Sequence, residues 1–334
     1  MSNLINNNIK GLSGFVNIGN TCYMNSILQC LNCSEEFIKY FLNNNYLEDL
    51  KDNNNRALCI EYHNVINKYW ETNNNIEPND FKKIIDNLTS LFNNNEQHDS
   101  QEFLSIFLDL LHTGIKYNIS ISYSGAIKNI HDRHAVNAIK MWYKIYNTDY
   151  SFIIQHFFGQ YIQELTCGNC KYKLYNYEPY CILTLPMYDN IYDSLKSFTK
   201  IEILKEDENW LCEKCKNNSY AKKKIKIWKL PKILIIQFKR FNYLNEKNDS
   251  YISYPINNLN LKKYIYGYEE TECIYNLKAI NCHSGSMSFG HYYSYCMNYT
   301  NNKWYEYNDD TITEVDDLDD LITNNAYLLF YEKI

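Results

Sequence analysis

No stretch of this 334-residue chain is apolar for long enough to span a bilayer. The first ten residues, Met1–Lys10, are polar and asparagine-rich, without the apolar core of a signal peptide or an anchor. No membrane partner is expected, and the setting expected is intracellular. Basic residues are also outnumbered: 33 Lys and Arg against 39 Asp and Glu give a net charge of −6. With no basic stripe, that balance disfavours nucleic acid as the partner, and with it a zinc-ribbon nucleic-acid binder. It suits a basic protein or peptide substrate, though ordinary solubility explains the charge as well. No internal repeat is visible, so nothing suggests a stacked-repeat architecture.

What is present is globular: 45% hydrophobic and 22% charged residues, in a length that suits one large domain or two ordinary ones. Twelve cysteines in a chain this long, with no leader, point to metal binding or catalysis rather than to a disulfide framework. Short asparagine runs at Asn6–Asn8, Asn43–Asn45, Asn53–Asn55, Asn73–Asn75 and Asn93–Asn95 read as loop fillers. Between them, helical periodicity predicts helices over Cys22–Leu42, Arg56–Trp70, Pro78–Phe92 and Asp99–Leu111, with a short one around Ala135–Ile145. After Ser151 the pattern turns to strands, at Phe157–Thr166, Ile182–Leu185, Lys226–Trp228, Ile233–Phe238, Leu277–His283, Tyr292–Asn298, Lys303–Asn308 and Ala326–Tyr331. A helical lobe followed by a mostly antiparallel β lobe is an α+β fold.

The segment Gly14–Ser26 places a cysteine at the start of a helix. Tyr23, Met24, Ile27, Leu28 and Leu31 recur at helical spacing and predict one apolar face. Asn20 or Thr21 is expected to cap this helix, with Cys22 in its first turn. A thiol there feels the positive end of the helix dipole, which favours the nucleophilic thiolate. Asn17, carried back over a glycine-containing turn, has an amide able to face an oxyanion forming beside that sulfur. Isolated cysteines are mostly packing residues, but the flanking Asn, Gly and Thr are poor core material.

A nucleophilic thiol needs a base within reach and a third group to orient that base. Among eight histidines, His291 opens the alternating stretch Gly290–Tyr295, directly after the flexible run Ser284–Gly290. A hairpin with Trp304–Asn308, centred in Tyr299–Asn302, makes paired numbers sum to roughly 600. Position 291 then faces about 309, so Asn308 and Asp309 are both candidates to orient the ring, and the register does not choose between them. The order Cys, His, Asn is that of a papain-like site. His98, beside the capping-box-like Asp99–Glu102, is the rival base, in a context better suited to a helix start.

Cys167-Gly168-Asn169-Cys170 and Cys212-Glu213-Lys214-Cys215 supply four thiolates, enough to close a structural zinc site with no open position for substrate. Such a site would hold an extended β projection together. Cys30, Cys33, Cys59, Cys181, Cys273, Cys282 and Cys296 are taken as packing residues.

Four motifs together resemble the ubiquitin-specific proteases, papain-like deubiquitinating cysteine peptidases. They are Gly14–Leu31, Glu96–Leu104, Pro231–Phe241, and Gly290–Tyr295 with Trp304–Asp309. With Phe158-Gly159-Gln160 and the two cysteine pairs, the resemblance runs from about Gly14 to Tyr331. It implies a right-hand architecture with a helical thumb, an antiparallel β palm and zinc-stapled β fingers. A flexible segment over 1–13 would precede a single catalytic domain over 14–334. The thumb would span about 14–150, the fingers about 155–245 with both cysteine pairs, and the palm mainly 180–200 and 225–334. By resemblance, Cys22 is the nucleophile, His291 the base, Asn308 its orienter, Asn17 the oxyanion donor and Asp309 a supporting acid. Asp99 is similar to the acid that receives an arginine of ubiquitin's tail. Glu102, Ser286 and Tyr292 are the other substrate-binding positions implied. Asn245–Ser250 and Ser284–Phe289 fall where mobile loops flank the tail channel. Val16, Ile18, His98 and Gln237 depart from the family's commoner residues, and none of these removes a catalytic group. The implied activity is thiol-dependent hydrolysis after ubiquitin's terminal glycine, with ubiquitin and ubiquitinated proteins as partners, structural zinc as the one cofactor, and the chain a monomer. A ubiquitin-binding pseudo-enzyme and a protease for a ubiquitin-like modifier are the alternatives.

Overall fold

The protein is described by a computed structural model covering residues 9–204, 210–242, 246–268, 273–286 and 289–334. Most of the expected flexible segment 1–13, Asn245 of one expected loop and Met287–Ser288 of the other lie outside the described residues.

The first half is helical: α1 Cys22–Leu31, α2 Glu35–Leu42, α3 Tyr46–Asp49, α4 Arg56–Glu71, α5 Asn79–Leu88, α6 Ser100–Ile115, α7 Ile130–Tyr146 and α8 Phe152–Phe157. The single helix expected over Cys22–Leu42 is two. Asn32 closes α1 by donating its N–H to the Leu28 and Gln29 carbonyls, and Ser34 is extended. The break lets Phe37 and Phe41 turn onto Tyr62 of α4. α7 is longer than expected because Asn129 and Asp132 form a reciprocal capping box at its start. The Asp99–Glu102 pattern is only half of one: Asp99 accepts from the Gln101 N–H, and no bond returns from Glu102.

Two sheets follow. The smaller is ordered β2-β1-β5-β4, from β1 Gly159–Cys167, β2 Lys173–Tyr180, β4 Glu202–Leu204 and β5 Ala221–Lys229. The larger is ordered β11-β10-β9-β8-β12-β6-β3. Its strands are β3 Ile182–Leu185, β6 Ile233–Phe238, β8 Ile274–Gly285, β9 Gly290–Asn298, β10 Lys303–Asn308, β11 Thr311–Glu314 and β12 Ala326–Lys333, with β7 Leu259–Asn260 beside β8. Its neighbours are antiparallel except β3 and β6, which run parallel. Both faces of the large sheet are covered. Along β6, Ile233 and Ile235 join the helical core, while Leu234, Ile236 and Phe238 join a second core on the opposite face with Leu195 of α9 (Ile191–Phe198). That is why β6 opens on the apolar run Ile233–Ile236 rather than on an alternating pattern.

α1 differs from expectation in its surroundings. All ten of its residues are buried, Asn25, Ser26 and Gln29 included. It lies between the other helices and the large sheet, against β9, β8 and α6, so no face is left for water. Several of its buried polar groups are satisfied by partners far away in sequence, although no partner is found for Asn25 Oδ1. Asn281 of β8 donates to Ser26 of α1 (2.9 Å) and accepts from Ser100 of α6 (2.7 Å), tying the helical and β lobes together at their centre.

Candidate active site

The turn before α1 is held in a left-handed course, with Gly19 at φ 121° and Asn20 at φ 53°. Neither Asn20 nor Thr21 caps α1 through its side chain, contrary to expectation. Asn17 organises the turn instead: its Oδ1 accepts from the N–H groups of Gly19 (3.2 Å) and Thr21 (3.1 Å), while the Thr21 hydroxyl accepts from Ile18 N–H. Cys22 is the first helical residue and only 4% exposed.

His291 stands at the start of β9. Its Nε2 meets Asn308 Oδ1 at 2.7 Å, and Cys22 lies near enough for a thiol–imidazole bond to act on the ring's protonation. The Asn308 carbonyl accepts a ring N–H, which leaves Nδ1 for the thiol. The bond to Cys22, joined by the acceptor at Asn308 and the charge of Asp309, pushes the imidazole up to about 9 against the opposing effect of burial. β9 and β10 pair from Lys303↔Asn298 to Tyr307↔Ser294, so paired numbers sum to 601 and His291 lies beyond the last pair. Asp309 then takes φ 51° and turns back under the site.

That turn separates the roles of two adjacent residues which the register had left equivalent. Asn308 contacts the ring, whereas Asp309 Oδ2 is 4.0 Å from His291 Nε2. The Asp309 carboxylate accepts from Asn17 Nδ2 (2.9 Å) and Asn25 Nδ2 (2.8 Å), and its carbonyl accepts from Phe15 N–H (3.0 Å). One amide hydrogen of Asn17 is thereby fixed, which orients the other. Asn25 was not singled out from the sequence; the only signal there is a polar residue in an apolar helix. The rival base His98 packs on Tyr23 and Phe92 and bonds Asn94 Oδ1 at 2.7 Å.

Of the expected substrate-binding positions, Asp99 lies on the seam between the lobes, where it accepts from Tyr327 OH of β12 (2.8 Å). Gln237 donates to the same hydroxyl and accepts from Thr184, carrying the chain of bonds to edge strand β3. Burial raises the Asp99 carboxyl, against the Tyr327 bond. Glu102 is exposed on the first turn of α6. Ser286 closes the tip of the β8–β9 hairpin with Phe289. Tyr292 is 7% exposed and packs against His283, so it belongs to the wall rather than the surface.

The four cysteines of the two pairs converge, with all four sulfurs within 4.8 Å of one another. Cys167 and Cys215 are 3.9 Å apart, and Cys170 and Cys212 3.6 Å. A tetrahedron of thiolates with zinc–sulfur bonds of about 2.3 Å has edges of about 3.8 Å, so the donor set fits that ion. Each pair forms the same knuckle, closed by Lys171 N–H to the Cys167 carbonyl and Lys216 N–H to the Cys212 carbonyl, with both lysines at positive φ.

The ubiquitin carboxyl-terminal hydrolase family model matches residues 13–331. Ubiquitin carboxyl-terminal hydrolase 2 of Homo sapiens is 33% identical over 97% of the chain and 55% of its own length. Ubiquitin carboxyl-terminal hydrolase 2 of Gallus gallus is 34% identical over 97% of the chain and 94% of its own length. The chain thus spans about half the length of several curated relatives, 55% for the human protein. Among solved structures, the SAGA DUB module with Ubp8, Sgf11, Sus1 and Sgf73 bound to monoubiquitin matches with TM-score 0.76 at 25% identity, over 97% of this chain and 70% of that one. A yeast SAGA DUB module with an Sgf73 mutant matches with TM-score 0.75 at 25% identity, over 97% of this chain and 69% of that one. No helix among the described residues is long and apolar enough to cross a membrane.

Proposed function

The chain belongs to the ubiquitin carboxyl-terminal hydrolase family, and from that premise we propose that it hydrolyses the isopeptide or peptide bond following the C-terminal glycine of ubiquitin. The observation that carries the proposal is the imidazole of His291, held by Asn308 at 2.7 Å with Cys22 near enough to raise its proton affinity. In this mechanism the Cys22 thiolate attacks the glycine carbonyl, and the oxygen of the tetrahedral intermediate accepts a hydrogen bond from the remaining amide N–H of Asn17. The His291 imidazolium gives its proton to the leaving lysine amine. The neutral ring then draws a proton from water, which attacks the thioester and frees Cys22. Asn308 keeps the ring in one tautomer, and Asp309 keeps Asn17 aimed. Asp99 would receive a basic side chain of the tail at the seam, Glu102 and Ser286 would be lesser contacts, and Tyr292 would line the wall behind them.

Cys167, Cys170, Cys212 and Cys215 would hold a structural zinc ion, which would tie the β1–β2 turn to the segment before β5 and supply no chemistry to the reaction. The monomeric state and the intracellular setting expected from the sequence belong to the same proposal, as do ubiquitinated proteins as substrates. The test is reaction with ubiquitin carrying a C-terminal thiol-reactive warhead. Wild type forms one covalent adduct and Cys22→Ser forms none; an unreactive wild type, or an adduct that survives in Cys22→Ser, rejects the mechanism. A pseudo-enzyme that only grips would hold unmodified ubiquitin and yield no adduct.

A further inference from the structure

The nucleophile and the base belong to different lobes, Cys22 to α1 and His291 to β9. A shift of one lobe against the other by about 1 Å would misalign them. One short segment reaches both: Asn94–Gln97, on the approach to α6, where the asparagine run Asn93–Asn95, read from the sequence as a filler, meets the Glu96–Leu104 motif. Asn20, at the crest of the left-handed turn before Cys22, donates its side-chain amide to the Asn95 carbonyl at 2.6 Å. Two residues on, Gln97 Oε1 accepts the backbone N–H of Gly290, the residue before His291, at 3.0 Å.

The second contact meets a need created by the sheet. β10 pairs with β9 only as far as Ser294, so at Gly290 no strand of the described residues flanks β9 on that side. The pair Ser286–Phe289 closes the hairpin tip (3.0 Å), and Gly285 faces Gly290. In the alternation of an antiparallel ladder, the Gly290 N–H then points away from β8. Gly290 is also fixed from beneath, since a Cβ there would lie 2.0 Å from His283 Nε2. The segment supplying the acceptor is itself gathered: Asn94 Oδ1 takes the Glu96 N–H (3.2 Å) and meets His98 Nε2 (2.7 Å), and the His98 ring packs edge-on to Tyr23 of α1 at 5.3 Å.

We propose that Asn94–Gln97 is a brace across the rim of the site, and that Gln97 is a positioning residue setting the distance between His291 and Cys22. The assignment rests on the thiol–imidazole reading above, but not on the identity of the modifier that is cleaved. Gln97 acts through one acceptor oxygen, so Q97M keeps its length and removes the bond, whereas Q97E keeps an acceptor. N20A removes the other strut.

Two readouts separate positioning from substrate contact. One is the pH profile of Cys22 alkylation by iodoacetamide, which reports the thiolate–imidazolium pair without ubiquitin. The other is kcat and KM on a fluorogenic ubiquitin. The brace requires Q97M to slow alkylation at neutral pH and to lower kcat by a similar factor, about 3-fold to 10-fold, with KM little changed. Q97E recovers most of both, and N20A follows Q97M. Melting temperatures near wild type show that the variants are folded. Alkylation of Q97M at the wild-type rate overturns the assignment, as does a loss confined to KM or a Q97E as slow as Q97M. If wild type leaves fluorogenic ubiquitin intact while alkylation responds as stated, the proposed substrate fails and the brace stands.

Discussion

At the scale of single residues, His291 retains a proton that a free imidazole would release near pH 6.5. Its affinity is raised to about 9, chiefly by the bond to Cys22. A raised histidine stabilises the folded pair fully below about pH 6.5, and that contribution disappears as pH climbs through about 9. The alkaline limb of kcat/KM is therefore expected near pH 9. Asn308→Ala, which removes the acceptor at 2.7 Å, is expected to move that limb toward pH 6.5 and to lower kcat/KM by about 10-fold or more. Asn17→Ala is expected to cost about 10²-fold to 10³-fold in kcat, the loss typical of one oxyanion donor. Asp309→Asn is expected to approach that loss, since it disturbs the aim of Asn17 rather than the bond between Asn308 and the ring. Steady-state rates of the three variants decide the ranking, and an Asp309→Asn enzyme at the wild-type rate removes Asp309 from the site. Cys22 and His291 were legible because each sits beside residues unsuited to a core, Asn20 and Thr21 in one case and Gly290 in the other. Asn25 was not, and Gln97 was legible only as a member of the Glu96–Leu104 motif: what each side chain contacts shows only once its partner, residues away by the hundred, is in place.

At the scale of elements, periodicity located most of the secondary structure and misjudged its ends and surroundings. β3, β6 and β10 fall where the pattern put them because each is short and bounded by turn residues. β2, α8 and α9 escaped it: Asn176, Glu178 and Pro179 dilute β2, and the two helices have eight residues or fewer. The end of β8 carries a pH-sensitive point outside the reaction. His283 is buried beneath Gly290 between Phe241 and Tyr292, and no partner is found for its Nδ1. Desolvation first, then the charges of Lys247 and His291, depress it to about 4, with Asp249 opposing. A depressed group contributes stability above its ordinary value of about 6.5 and loses it as pH falls through about 4. Thermal melts should therefore fall over that window, and His283→Phe should flatten the dependence. An equally steep acid loss in His283→Phe would place the sensitivity at other buried histidines, such as His112 and His156, which burial also depresses.

For the whole molecule, the reacting centre and the four-cysteine cluster lie in different sheets, and the chemistry does not pass through the cluster. Each controls a different quantity. If the cluster holds zinc, the protein carries about one equivalent, and Cys212→Ser is expected to lose it and to weaken ubiquitin affinity several-fold while Cys22 alkylation stays near the wild-type rate. Metal analysis together with the two assays checks this, and a fully folded, metal-free wild type removes the staple. The amino-acid sequence by itself pointed to the proposed pair Cys22 and His291 with Asn308 or Asp309 beside it, to the metal-type donor set and to the succession of a helical and a β lobe. Those depend on local chemistry and on spacing along the chain, which any segment displays before it folds. The tertiary structure alone decided that Asn308 rather than Asp309 meets the ring, that Asp309 serves Asn17 and Asn25, that α1 is buried all round, and that an asparagine-rich loop touches both halves of the site. Each of these rests on contacts between residues some 17 to 292 positions apart, and such contacts exist only once packing has brought α1, α6 and β9 to one place.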